Sequence, residues 1–401
     1  MAQKKTWLYL YTVILACTVL SITMGNSMLG LILGDIMGHY HISLDGGGLM
    51  SMYQNIGGTI GIILLTFLID RINKPLFHML PVFMAAACVL LIGTAPPYAL
   101  FMMLFLLFGI TIATVDVTSN AIIPDIHQEK RDALLSLLHS ISPIGAILIP
   151  IVAGTAVEAG TPWQDIYTAV GILLLVVFVL YGIAYFKMRP AMKVIHSQQT
   201  ERREKGTFKR FLKDKNVWLA ALSIFLFAGY QGGVIVWITK YLSDVFNVGP
   251  VMGGIGVTAY WLGAGIVRFL FAVSPLKRLQ TKPVLMWGGI AAGVALAVGI
   301  LSGNYYVMMG CVFLSGCLNA PSLPRGVGLI SGWYKENSGL ASSLAFIGLY
   351  LAVAVVPLLM GITASALGMG AMMAIPALCT ILSGVTAIFL PRHHSVGKEA
   401  A

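Results

Sequence analysis

The chain has 401 residues, of which 58% are hydrophobic and only 10% charged, with a formal net charge of +10. A soluble domain carries about 25% charged residues, so this composition excludes a water-soluble globular fold and makes lipid the main solvent. The five cysteines, Cys17, Cys88, Cys311, Cys317 and Cys379, lie inside apolar runs without metal-ligand spacing, which argues against a disulfide framework, a redox pair or a metal centre.

Apolar runs of about 20 residues predict spans at 7–33, 47–69, 76–95, 98–123, 133–157, 164–187, 216–240, 251–275, 283–302, 305–330, 338–361 and 366–390. Lys4 and Lys5 before the first run, and Leu15-Ala16-Cys17 within it, resemble a secretory signal with a lipoprotein box. The run continues to Leu33, too far for the apolar core of a signal, and is kept as a span. Turns such as Thr94-Ala95-Pro96-Pro97 and Ser302-Gly303-Asn304 are so short that the helices they join are expected to be antiparallel neighbours.

With the amino terminus placed inside, the 25 Lys and Arg residues are strongly biased to one face. Only Lys240 falls outside, while Arg268 and Arg325 lie within spans. That asymmetry follows the positive-inside rule, so the net charge anchors topology and does not mark a nucleic-acid surface. The expected setting is the cell (inner) membrane, multi-pass, with both termini cytoplasmic. The expected partners are the lipid bilayer and a small polar solute, with no nucleic acid, and a monomer is expected.

The connection over 188–215 divides the spans six and six. It predicts an N-terminal six-helix bundle at 1–187, a cytoplasmic basic linker at 188–215 and a C-terminal six-helix bundle at 216–401. Phe208, Phe211 and Leu212 beside Lys209, Arg210 and Lys213 suit a short helix lying on the inner leaflet, whereas residues 190–206 fit a solvated linker equally well. The halves also resemble each other. Gly47, Gly48 and Gly57 correspond to Gly253, Gly254 and Gly263, and Asn73-Lys74-Pro75 to Thr281-Lys282-Pro283, at an offset of about 206–208 residues. Two parallel repeats of this kind predict a solute site at their interface.

Ionisable side chains inside spans are costly and mark function by default. Four stand out: Asp116, His139, Arg268 and Arg325. Each lies roughly 9–12 Å from the cytoplasmic end of its span, at 1.5 Å per residue. A carboxylate in a dry span tends to hold a proton, and a nearby Arg favours its release, so Asp116 is the candidate for proton coupling, with a permanent Asp–Arg pair as the alternative. Asn120, one turn on, offers hydrogen bonds to a hydroxylated solute. His139 suits either a proton relay or an interior histidine bonded to a carbonyl. The excess positive charge of Arg268 and Arg325 fits an anion held by bidentate pairing. Alternatively, Arg325 snorkels to the cytoplasm and has no bearing on the solute. An enzyme needs clustered ligands or a nucleophile with its base. The spans offer neither, so no catalytic residues and no cofactor are expected, with the proton as coupling ion and sodium as the other possibility.

Thr66-x-x-x-Asp70-Arg71-x-Asn73 resembles the loop signature Gly-x-x-x-Asp-Arg-x-Gly of the major facilitator superfamily. Within it, the chain is similar to the fucose:proton symporter family at Gly109-x6-Asp116-x3-Asn120, Leu137-Leu138-His139-x5-Gly145-x4-Pro150 and Gly229-Tyr230-Gln231-Gly232 followed by Trp237. Tyr260-Trp261-x-Gly263-x-Gly265-x-x-Arg268, Pro321-x-x-Pro324 and Pro357-x3-Gly361 extend the likeness over the second half. The resemblance implies an all-α membrane protein with twelve transmembrane helices in two pseudo-symmetric six-helix bundles, working by alternating access. It implies proton-coupled symport of a sugar or similar small polar solute, with Asp70 and Arg71 as a conformational gate. Solute contacts are implied at Asn26, Asn120, His139, Gln231, Trp237, Tyr260, Trp261, Arg268 and Arg325. The chain departs from the family at Asn26-Ser27-Met28-Leu29-Gly30, which lacks an aspartate, and at Gln231, where a glutamate is common. One-proton coupling through Asp116 is therefore the simpler expectation. The alternative is an organic-anion carrier or exporter, although the fifth span lacks the dense Gly-Pro-Gly-Gly run associated with antiporters.

Overall fold

The structure, a computed structural model, describes residues 2–69, 72–127, 131–196, 213–334 and 338–391. Asp70, Arg71 and the Phe208–Leu212 segment lie outside the described residues, as does the side chain of His139. The described residues form helices joined by short turns: α1 Ala2–Tyr40, α2 Leu44–Leu68, α3 Lys74–Phe77, α4 Met79–Gly93, α5 Tyr98–Ile126, α6 Arg131–Glu158 and α7 Trp163–His196. The second half follows as α8 Lys215–Phe246, α9 Pro250–Val273, α10 Thr281–Leu301, α11 Tyr305–Asn319, α12 Ser322–Trp333, α13 Ser338–Leu367 and α14 Met369–Ile388. Among the described residues, eleven stretches are long and apolar enough to cross a membrane, and Pro143–Glu158 of α6 is a shorter apolar helix. This is an all-α, multi-pass membrane protein.

Backbone chemistry sets the helix ends. Asn304 accepts hydrogen bonds from the Tyr306 and Val307 amides at 2.9 and 3.2 Å and starts α11. The Asp214 side chain accepts from Asn216 N at 2.9 Å and starts α8. Both satisfy amides that a first helical turn leaves without partners. Gly368, at φ +86°, makes the left-handed turn between α13 and α14 that a side chain disfavours.

The helices differ from the expected spans in three places. α1 and α7 run beyond their apolar cores, so residues 188–196 of the expected linker continue the sixth span as helix. The third span is divided at His78 into α3 and α4. The tenth span, expected to be continuous over 305–330, breaks at Ala320–Pro321, because Pro321 has no N–H to donate to the preceding turn and its ring crowds that turn's carbonyl.

By compactness the chain divides into two units, one of residues 1–40 and 53–201, the other of 41–52 and 202–401. In the first unit α1 packs on α5, α6 and α7, while α4 packs on α5 and α7. In the second, α8 packs on α9, α13 and α14, and α10 on α11 and α14. Val217, Ala220, Ile224, Leu285, Ile330 and Ala387 form one of its buried clusters.

A very close helix crossing of the same kind recurs in each unit. A Cβ on Gly109 of α5 would overlap the Gln54 carbonyl of α2, and one on Gly57 would overlap the Leu106 carbonyl of α5. In the second unit a Cβ on Gly316 of α11 would overlap the Tyr260 carbonyl of α9, and one on Gly263 would overlap the Phe313 carbonyl. The two sets correspond, residue for residue, at the repeat offset of about 206 residues to within one. The sequence repeat is thus a repeat of packing, in which small residues let helix backbones approach.

Candidate functional site

In the first unit, α5 carries Asp116 and Asn120, both half-buried. Asn120 Nδ2 donates to the Asp116 carbonyl at 2.9 Å, so this amide folds back on its own helix and leaves its oxygen free to accept elsewhere. Asn26 of α1 is exposed, and its Oδ1 accepts from Gln54 Nε2 of α2. Gln54 itself is buried, and its Oε1 has no hydrogen-bond partner.

Two residues below Asn120 the same helix meets a polar group that sequence reading passed over. His78, 0% exposed, lies within bonding distance of Thr118 Oγ1 of α5 through Nδ1 at 2.6 Å and of Thr18 Oγ1 of α1 through Nε2 at 3.1 Å. Its ring packs on Tyr181 of α7 at 4.8 Å between centroids. The Tyr181 hydroxyl donates to the Pro75 carbonyl at 3.0 Å and shares a hydrogen bond with the Tyr11 hydroxyl. Lys74 pairs with Asp125 at 2.9 Å and ties α3 to the end of α5. His78 thus joins three helices beside the turn of α5 that carries Asp116. The only signal in the sequence was a histidine close inside the end of an apolar run.

In the second unit the structure brings together Tyr230, Tyr260, Trp261 and Arg268. Tyr230 of α8 donates to Ser315 of α11 at 2.8 Å, and its ring lies 5.9 Å from that of Tyr260 on α9. Trp261 follows at 5.5 Å from Tyr260, and the Arg268 guanidinium lies over the Trp261 ring at 5.7 Å from its centroid. Arg268 Nε donates to the Ala320 carbonyl at 3.1 Å, where the break between α11 and α12 leaves a helix-end carbonyl available. The two contacts fix the guanidinium from one face and one edge, through cation–π attraction and a charge-assisted hydrogen bond. Among the described residues no carboxylate pairs with it. The indole Nε1 of Trp261 is buried without a hydrogen-bond partner.

Other sequence candidates of this unit stand apart from that group. Trp237, 0% exposed, donates through Nε1 to the Pro357 carbonyl at 3.0 Å and joins α8 to α13. Gln231 is half-buried on α8. Arg325 of α12 donates to the carbonyls of Leu279 and Leu276 in the turn after α9, and lies over the Phe271 ring at 5.0 Å. Its guanidinium therefore reaches carbonyls at the end of the helix bundle, as a long basic side chain can.

The profile of the Major Facilitator Superfamily matches residues 15–274 and 240–401. A Protein TsgA homolog of Buchnera aphidicola subsp. Acyrthosiphon pisum is 24% identical over 248 residues, 61% of this chain and 60% of the relative. The chain therefore spans less than two thirds of that relative's length. A second TsgA homolog, from Buchnera aphidicola subsp. Schizaphis graminum, is 22% identical over 321 residues, covering 79% of this chain and 78% of the relative. The glucose/galactose transporter of Brucella abortus is 21% identical over 315 residues, 74% of this chain and 73% of that protein. Among solved structures, a bacterial homolog of the human lysosomal transporter Spinster, inward-facing and unoccupied, superposes with a TM-score of 0.71 at 14% identity. That superposition covers 96% of this chain and 94% of the other, and shows the fold alone.

Proposed function

Because the chain belongs to the Major Facilitator Superfamily, a superfamily of membrane transporters, we propose that it is a secondary active transporter that couples import of a sugar or similar small polar solute to one proton. The observation that carries the coupling is Asp116, a half-buried carboxylate within the Tyr98–Ile123 span, on the helix that also presents Asn120. In a span a carboxyl group exchanges charge for a proton at little cost in one state and large cost in the other. It can then alternate as the site opens to either face. The sugar reading is supported by the similarity to a relative described as a glucose/galactose transporter. The proposed solute contacts are Asn26 and Asn120 on the first unit and Gln231, Tyr260, Trp261 and Arg268 on the second. Trp237 and Arg325 are left out of this set because Trp237 is spent on the Pro357 carbonyl and Arg325 reaches the Leu276 and Leu279 carbonyls.

The test is uptake of labelled D-glucose and D-galactose into proteoliposomes under an imposed pH gradient. The wild type accumulates solute against its gradient. Asp116→Asn abolishes accumulation and retains counterflow. Full accumulation by Asp116→Asn would remove the coupling role, and accumulation driven by sodium but insensitive to a protonophore would replace the proton.

A second reading, an organic-anion carrier, is favoured by Arg268. A guanidinium held within a span without a carboxylate leaves its Nη donors for an anion. Uptake of D-galacturonate that is lost in Arg268→Ala, with no uptake of D-galactose by the wild type, would select this reading over the first.

A further inference from the structure

The matched helix crossings make Gln54 of the first unit the counterpart of Tyr260 in the second. Its surroundings are unusual for an amide. The side chain is 4% exposed. One end is spent on Asn26, to which Nε2 donates, and the other, Oε1, is buried without a hydrogen-bond partner. Reversing the amides does not cure this. Asn26 Nδ2 would then donate to Gln54 Oε1 and leave the Nε2 hydrogens of Gln54 without a partner. In either orientation one polar end of Gln54 is left over, and a buried polar group without a partner is costly. Asn26, near the midpoint of the Leu8–Tyr40 span, is exposed and keeps one end of its own amide free.

We propose that Asn26 and Gln54 act as one amide pair that reads a single hydroxyl of the transported solute. Asn26 Nδ2 donates to the hydroxyl oxygen, and the hydroxyl donates its proton to Gln54 Oε1. A hydroxyl is the group that fits, because it accepts and donates at one atom; a carboxylate only accepts and an ammonium only donates. Such a site rejects an analogue lacking the hydroxyl, since binding that analogue leaves its polar atoms unpaired. The inference rests on the transport reading and names the part of the solute that this pair recognises.

The experiment is competition by unlabelled D-galactose, D-glucose and their monodeoxy analogues against uptake of labelled D-galactose in proteoliposomes. The wild type is expected to reject one monodeoxy analogue by about tenfold or more. Gln54→Leu is expected to bind the parent sugar on the order of tenfold more weakly and to lose discrimination at that hydroxyl alone. Asn26→Ala, at an exposed position, should lose discrimination at the same hydroxyl and carries the test if Gln54→Leu does not fold. Equal weakening toward every analogue means that Gln54 only supports the fold, and overturns the pair. Unchanged discrimination overturns it as well, with the transport reading intact. A wild type that takes up neither hexose fails the sugar reading first, and the amide pair with it.

Discussion

His78 is flanked by two threonine hydroxyls, and each hydroxyl has one proton to give. Thr118 Oγ1 lies 2.7 Å from the Thr114 carbonyl and Thr18 Oγ1 lies 2.7 Å from the Leu15 carbonyl. A neutral ring has one donor and one acceptor nitrogen, so one threonine must turn its proton to the ring while the other keeps its own helix carbonyl. Removing the ring lets both hydroxyls return to their helices without stranding a polar group. His78→Ala is therefore expected to act through the cavity and one lost hydrogen bond, costing about 2–4 kcal/mol. His78→Gln, which fills much of the space and can both donate and accept, should lose less than half of that. Thermal melting of the detergent-solubilised variants checks the order. Equal melting temperatures for wild type and His78→Ala would mean that the residue does not hold α1, α4 and α5 together. The depth of this histidine was not legible from its sequence position, because burial here depends on Thr18, Thr118 and Tyr181, none of which is its neighbour in the chain.

At the scale of helices, the reciprocal glycines and the broken tenth span do most to fix the side chains. The Gly109–Gln54 and Gly316–Tyr260 crossings leave no space for a methyl group, so Gly109→Ala or Gly316→Ala forces two backbones apart, at a cost of about 3 kcal/mol or more. Gly310 lies on the same helix as Gly316, and nothing approaches within 4 Å of its Cβ position. Gly310→Ala removes backbone freedom from the unfolded chain and should be neutral or stabilising by about 0.5–1 kcal/mol. Melting the three variants side by side separates a crossing from a general dislike of substitution. If Gly316→Ala melts like Gly310→Ala, the close approach is not what holds α9 to α11. Gly57 and Gly263 were visible as a repeat in the sequence. Their partners, Leu106 and Phe313, were not, because a helix crossing pairs residues whose spacing the chain does not record. The break at Ala320–Pro321 was marked by proline alone. That it supplies a carbonyl to Arg268 became evident only with α9 and α11 side by side.

For the molecule as a whole, the spans were legible because the bilayer fixes a length of about 20 apolar residues, and Arg325 shows where that reading stops. Its position inside a span was correct, yet its guanidinium extends to the carbonyls of Leu276 and Leu279, a destination set by a long flexible stem. The basic residues of the two equivalent turns behave alike. Lys74 binds Asp125, and Lys282 donates to the Leu390 carbonyl at 2.8 Å. Each joins its turn to the end of a helix from the same unit, so both are anchored at one end of their bundles. By the positive-inside rule that end is expected to face the cytoplasm. Alkaline phosphatase, which is active only outside the cytoplasm, should therefore be inactive when fused after Gln280, just before the first turn of α10 that carries Lys282, and active when fused after Asn304, one span further on. Activity after Gln280 with none after Asn304 would invert the topology. It would also move the Arg325 guanidinium to the outer face and place the termini outside.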